Sequence, residues 1–206
     1  MITLDYVIYD CIANICLLIF AFLAFKNIRF AWILVLASLI IKVFIYGKYG
    51  LTSSFIFLSA QILMSIFASV IWLRDPRYVL ATKQKKLVAV AISLIVLLIW
   101  VGVVYKYINP YILNYDVLFG FDYLCYMLFV IGAILIALRM SIGLLFIAVV
   151  FISYAVSYGN SAIIMKSAPT NFQEFIPCYW ISAISLFIAG VLLVASYTNV
   201  KRNKSL

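Results

Sequence analysis

The chain has 206 residues, 68% of them hydrophobic and only 10% charged, with a net charge of +9 and a mean hydropathy of +1.23. Too few polar side chains remain to coat a water-soluble surface, which excludes a soluble enzyme or nucleic-acid-binding domain and makes lipid the solvent. Histidine is absent altogether, which removes imidazole-ligated haem, His-type zinc sites and a Ser-His triad.

Seven apolar stretches follow, each near the roughly 20 residues that cross about 30 Å of hydrocarbon. The first, Leu4–Phe25, has no basic segment ahead of it and reads as a retained helix, not a cleaved signal. It carries Asp10 and Asn14. The second, Phe30–Tyr46, carries Lys42, and the third, Leu51–Leu73, carries Gln61. The fourth, Leu87–Tyr105, follows a basic loop from Arg74 to Lys86. The fifth, Val117–Leu138, holds Asp122 and Tyr126. In the sixth, Ser141–Tyr158, helical spacing puts Ser153, Tyr154 and Ser157 on one side. A long connection, Gly159–Pro177, leads to the seventh span, Cys178–Tyr197, with Trp180, Ser182 and Ser185. That connection reads as a linker or as a lid.

The positive charge has a simple source. With the N-terminus outside, eleven Lys and Arg residues fall on the cytoplasmic side: Lys26, Arg29, Arg74, Arg77, Lys83, Lys85, Lys86, Arg139, Lys201, Arg202 and Lys204. Only Lys48, Lys106 and Lys166 fall outside. The positive-inside rule then gives a multi-pass protein of the plasma (inner) membrane, N-terminus out and C-terminus in. No nucleic acid is needed to explain the basic loop, which at most touches anionic headgroups. The four cysteines, Cys11, Cys16, Cys125 and Cys178, have no ligand-like spacing.

An offset of 112 residues aligns Asp10 with Asp122 and Tyr46-Gly47 with Tyr158-Gly159. This divides one all-α membrane domain, 1–206, into a three-helix repeat over 4–73, a linker helix over 87–105 and a second repeat over 117–197. The odd linker gives both triplets the same orientation, a 3+1+3 plan of parallel repeats.

Ionisable groups in lipid cost roughly 2.5–3.5 kcal/mol at mid-bilayer, so Asp10, Lys42 and Asp122 each need a reason. Counting 1.5 Å per residue from the outer helix ends puts all three about 7–9 Å deep. One lysine and two aspartates in one layer allow an ion pair with a carboxylate left over. That carboxylate would be a counter-ion for a cationic ligand or a proton carrier. A purely structural pair, or a snorkelling Lys42, is the alternative. Asn14 and Gln61 lie deeper, roughly 14 Å in, where amides bond between helices or to a ligand. Tyr126, Tyr154 and Trp180 offer rings for stacking. The remaining tyrosines, Tyr158 among them, read as an interfacial belt. No phosphate loop, catalytic dyad or Gly-x-x-x-Gly dimer motif appears.

The stretch Lys26-Asn27-Ile28, Trp32, Tyr46-Gly47-Lys48-Tyr49-Gly50-Leu51, Gln61 and Trp72 resembles the Pnu-type vitamin transporters over roughly residues 6–73. The second half resembles them in outline, and its last span ends without the family's tryptophan. The resemblance implies seven helices in a 3+1+3 arrangement. It also implies facilitated uptake of a vitamin precursor such as nicotinamide riboside, with Gln61 at the site. The expectation is therefore a small secondary transporter, not an enzyme, with no cofactor and no metal. Its substrate-binding residues are Asp10, Asn14, Lys42, Gln61, Asp122, Tyr126, Tyr154 and Trp180. Its partners are a small-molecule solute and membrane lipid, with a second copy or a partner subunit left open. The rival expectation is a non-transporting membrane subunit or capture component, docked through the basic loop.

Overall fold

The computed structural model describes residues 4–48, 52–74, 117–167 and 173–202, with isolated helical positions between 84 and 102. Six helices and no strand occur among them: α1 Leu4–Phe25, α2 Ala31–Lys48, α3 Thr52–Arg74, α4 Val117–Ala137, α5 Ile142–Met165 and α6 Ile176–Arg202. Three stretches, α1, α5 and Ile176–Val200 of α6, are long and apolar enough to cross a membrane. They are compatible with a membrane-embedded protein. The fourth predicted span, Leu87–Tyr105, lies largely outside the described residues; its described positions Leu87, Val88, Leu94, Ile95 and Leu98 are helical and exposed.

One predicted boundary is corrected. The sixth span does not stop at Tyr158, because α5 continues through Gly159 and Asn160 to Met165. The connection predicted over Gly159–Pro177 shrinks to residues 166–175, and of these 168–172 lie outside the described residues. Glycine is tolerated inside helices of membrane-compatible composition, whose backbone groups are satisfied within the segment.

The helices are patterned inside out. On α1 the buried face runs Val7, Asp10, Asn14, Leu17, Ala21 and Ala24, while Ile8, Ile12, Ile15, Ile19 and Phe22 are exposed. On α6, Ser182, Ser185, Ala189, Leu193 and Ser196 are buried and Ile181, Ile184, Ile188 and Val191 are exposed. Both series advance by three or four residues, one helical face each. Polar groups therefore face the centre and an aliphatic belt faces out, which suits hydrocarbon and not water.

Each helix packs against the next in sequence, and α6 closes on α1, so the six form a ring. Within it, α3 and α4 run the same way, as do α6 and α1. The half of the ring near the end of α1 is solid. There Phe20 meets Trp32 at 5.2 Å and Phe151 at 6.4 Å between ring centroids, and all three are buried. The other half is hollow.

Two turns at the solid end are built alike. Asn27 and Arg139, 112 residues apart, both adopt the left-handed conformation, with φ of 55° and 61°. Ile28 N–H donates to Leu23 O and Asn27 N–H to Ala24 O; Met140 N–H donates to Leu135 O and Arg139 N–H to Ile136 O. Each turn is a Schellman motif that satisfies the last carbonyls of its helix. Trp72 Nε1 adds a hydrogen bond to Ile28 O at 3.1 Å, tying the end of α3 to the first turn.

The α4–α5 crossing depends on glycine. A Cβ on Gly143 would sit 2.5 Å from Gly132 O, and one on Gly132 would meet Ile147 Cγ1 at 2.7 Å. Close backbone approach of this kind holds helices together where no hydrophobic force operates between them. Gly143→Ala should destabilise the fold by about 1–3 kcal/mol through overpacking. Gly47→Ala, whose Cβ would meet nothing within 4 Å, is the matched control. Melting temperatures of the two purified variants check this; equal values would show that α4 and α5 are not in close contact.

Candidate functional site

The hollow half encloses a cavity of about 200 Å3 lined by all six helices. From α1 come Tyr6 and Asn14, from α2 Ser38 and Lys42, and from α3 Leu58 and Gln61. Opposite them stand Tyr126 and Phe129 of α4, Tyr154, Ser157, Tyr158 and Ser161 of α5, and Tyr179 of α6. Phe151 and Leu186 line it as well, where it meets the solid half. A smaller pocket of about 120 Å3 adjoins it between α1, α5 and α6. That pocket includes Asp10, Cys178 and Ser182 and shares Tyr6, Tyr158 and Tyr179 with the cavity.

Asp10 is the hub between the two spaces and is buried at 5% exposure. Lys42 Nζ lies 3.5 Å from its Oδ1. Tyr158 donates its hydroxyl hydrogen to Oδ2 of the same carboxylate, and Asn14 Nδ2 donates to Oδ2 at 3.4 Å. Three helices thus supply the partners of one carboxylate. The arrangement follows from helical rise: Asp10 going in and Lys42 going out sit five residues from comparable ends. Lys42 also stands 5.9 Å from the centre of the Tyr154 ring, within cation–π range.

Tyr126 and Tyr154 face each other with centroids 6.5 Å apart, tilted by 52°. Tyr158 and Tyr179 pair similarly at 5.9 Å. The two pairs supply the aromatic part of the lining. Gln61 is buried at 4% and Asn14 completely.

Of the residues expected from sequence, Asn14, Lys42, Gln61, Tyr126 and Tyr154 line the cavity and Asp10 anchors its polar corner. Trp180 is 37% exposed and is not among the lining residues. Asp122 lies in α4, and its side chain lies outside the described residues. Tyr158 was expected in an interfacial belt and instead bonds Asp10, because α5 runs seven residues past it. Sequence reasoning also passed over Ser38, Tyr6 and Tyr179. For Tyr6 and Tyr179 a signal existed: each lies one helical turn from a residue already singled out. Ser38, one small hydroxyl in an apolar run, gave none. Among the described residues no cluster of Cys, Asp or Glu could hold a metal ion.

The arrangement offers a ring-sized space lined by aromatic faces and by hydrogen-bonding amides and hydroxyls, plus one internally paired ion pair. It has the makings of a recognition site for a small polar ring. Comparison with family models, curated proteins and solved structures finds no match to this chain.

Proposed function

We propose that the protein is a small secondary transporter or facilitator of a ring-bearing solute, in the vitamin-precursor or nucleoside class, bound in the central cavity. The observation that carries this reading is the cavity itself. It is polar and aromatic, lies inside a ring of helices with a lipid-suited exterior, and draws on all six described helices. Polar and ionisable groups at membrane depth mark solute or ion sites by default.

Two parallel triplets, α1–α3 and α4–α6, are the moving bodies of this reading. The matching turns at Asn27 and Arg139 support a 112-residue repeat. Because α3 and α4 run in parallel, the chain between them has to recross the bundle, which supports a seventh span over 87–105. Charge asymmetry supports an N-out, C-in orientation in the plasma membrane. On that orientation the packing of Phe20, Trp32 and Phe151 closes the cytoplasmic side, and the cavity belongs to a state closed inward. Rocking of one triplet on the other would open it.

Purified protein titrated with nicotinamide, nicotinamide riboside, thiamine and riboflavin tests the reading. A solute present at 100 times its dissociation constant adds about 2.7 kcal/mol of stability, a clear rise in melting temperature. No shift across the panel would count against a solute of this class. For a solute that binds, Gln61→Ala should lower uptake about fivefold, as expected for one lost hydrogen bond of about 1 kcal/mol, with membrane expression unchanged. Unchanged uptake would take Gln61 out of the site.

The solid packing beneath the cavity favours a second reading, a capture component that binds solute and passes it to a partner. Binding without flux in proteoliposomes would select it.

A further inference from the structure

The wall of the central cavity contains two buried polar groups with no partner. Asn14 Oδ1 and Ser38 Oγ accept and donate no hydrogen bond, although both residues are completely buried. Both belong to the lining. Polar groups in such surroundings are nearly always satisfied, so a missing partner points to a ligand.

The orientation of Asn14 is fixed by its neighbour. Its amide nitrogen donates to Asp10 Oδ2, and an ionised carboxylate can only accept. Tyr158 already donates to the same Oδ2, and Lys42 Nζ stands 3.5 Å from Oδ1, so the carboxylate is surrounded by donors. The NH2 end must therefore face Asp10, and the carbonyl oxygen is left as an acceptor in the cavity wall. A ligand that completes the site brings a donor.

Charge and size narrow the ligand further. Asp10 and Lys42 neutralise each other, so the polar corner presents no net charge to an occupant. An aspartate in this state is not free to balance a cation. A dry cavity of about 150 Å3 accepts benzene. A space of about 200 Å3 accordingly matches one ring with its substituents.

From this we infer that the cavity binds an uncharged, single-ring solute carrying an N–H or O–H donor. Asn14 Oδ1 accepts that donor, Ser38 adds a second polar contact, and the ring lies against Tyr126 and Tyr154. Asp10 is a positioning residue: it sets the direction of the Asn14 amide through Nδ2 and does not touch the solute. The inference rests on reading the cavity as the solute site, and it narrows the class proposed above to neutral single-ring members, setting aside nucleosides and the two-ring vitamins.

Four probes of graded chemistry test it by calorimetric titration of the full-length protein in detergent. Benzamide is neutral with a donor, acetophenone is neutral with an acceptor only, benzoate is an anion, and nicotinamide riboside is a two-ring cation. Benzamide is expected to bind at least tenfold more tightly than each of the other three. Asn14→Leu should erase the preference for benzamide over acetophenone while leaving acetophenone binding in place. In the charge-free pair Asp10→Asn with Lys42→Met, the Asn14 amide is free to turn. The preference should collapse there too, which a merely structural Asp10 would not cause. Should Asn14→Leu fail to fold, Ser38→Ala gives a smaller loss of the same preference. Equal binding of benzamide and acetophenone, tighter binding of benzoate or nicotinamide riboside, or no binding of benzamide would each overturn the inference. Failure of the transport reading looks different: the donor preference would persist in titration while proteoliposomes showed no flux.

Discussion

Asp10→Ala is expected to destabilise the protein by about 3–5 kcal/mol, the range for breaking a buried ion pair by removing one partner. The loss comes from what remains behind. The side chain of Lys42 is only 15% exposed, and with Asp10 gone its ammonium is left against the Tyr154 ring without that carboxylate. The Tyr158 hydroxyl and the Asn14 amide lose their acceptor at the same time. Adding Lys42→Met should restore most of the stability, since a volume-matched apolar side chain carries no desolvation penalty. Thermal melts of the single and double variants in detergent give the comparison. If the two single losses simply add in the double variant, Asp10 and Lys42 do not act as a pair.

The second large effect concerns movement. Cys11 of α1 lies within hydrogen-bond reach of Cys178 of α6, at an interface between the two proposed triplets. Mild oxidation should join them and fix α1 to α6. If rocking at this interface accompanies each cycle, uptake should fall at least tenfold and return on reduction. Cys11→Ala should be indifferent to the oxidant. A chain that cross-links in full and still carries solute would show that α1 and α6 stay together during transport. Failure to cross-link would show that the two thiols are not neighbours.

The sequence revealed the spans more readily than the site. The bounds of α1 were legible to the residue, because Lys26 and Asn27 end a predominantly apolar run whose last eleven residues, Ile15–Phe25, are all apolar. The depth of Asp10 and Lys42 was legible as well, since helical rise counted from opposite ends placed them in one layer. Their pairing was one of several arrangements and needed the packing of α1 on α2. Tyr158 escaped because Gly159-Asn160-Ser161 reads as a turn in water and continues as helix here. Gly132 and Gly143 were invisible for another reason. A search within one helix for paired glycines cannot find a contact made by one glycine from each of two helices.

The twin turns at Asn27 and Arg139 have a mechanical consequence. Each locks two helices into a stiff knuckle: α1 to α2, and α4 to α5. Neither pair can splay without giving up the Schellman bonds, and in the second pair without parting Gly132 from Gly143. On the transport reading proposed above, opening would therefore part the seams between the knuckled pairs, with each pair swinging as one rigid limb.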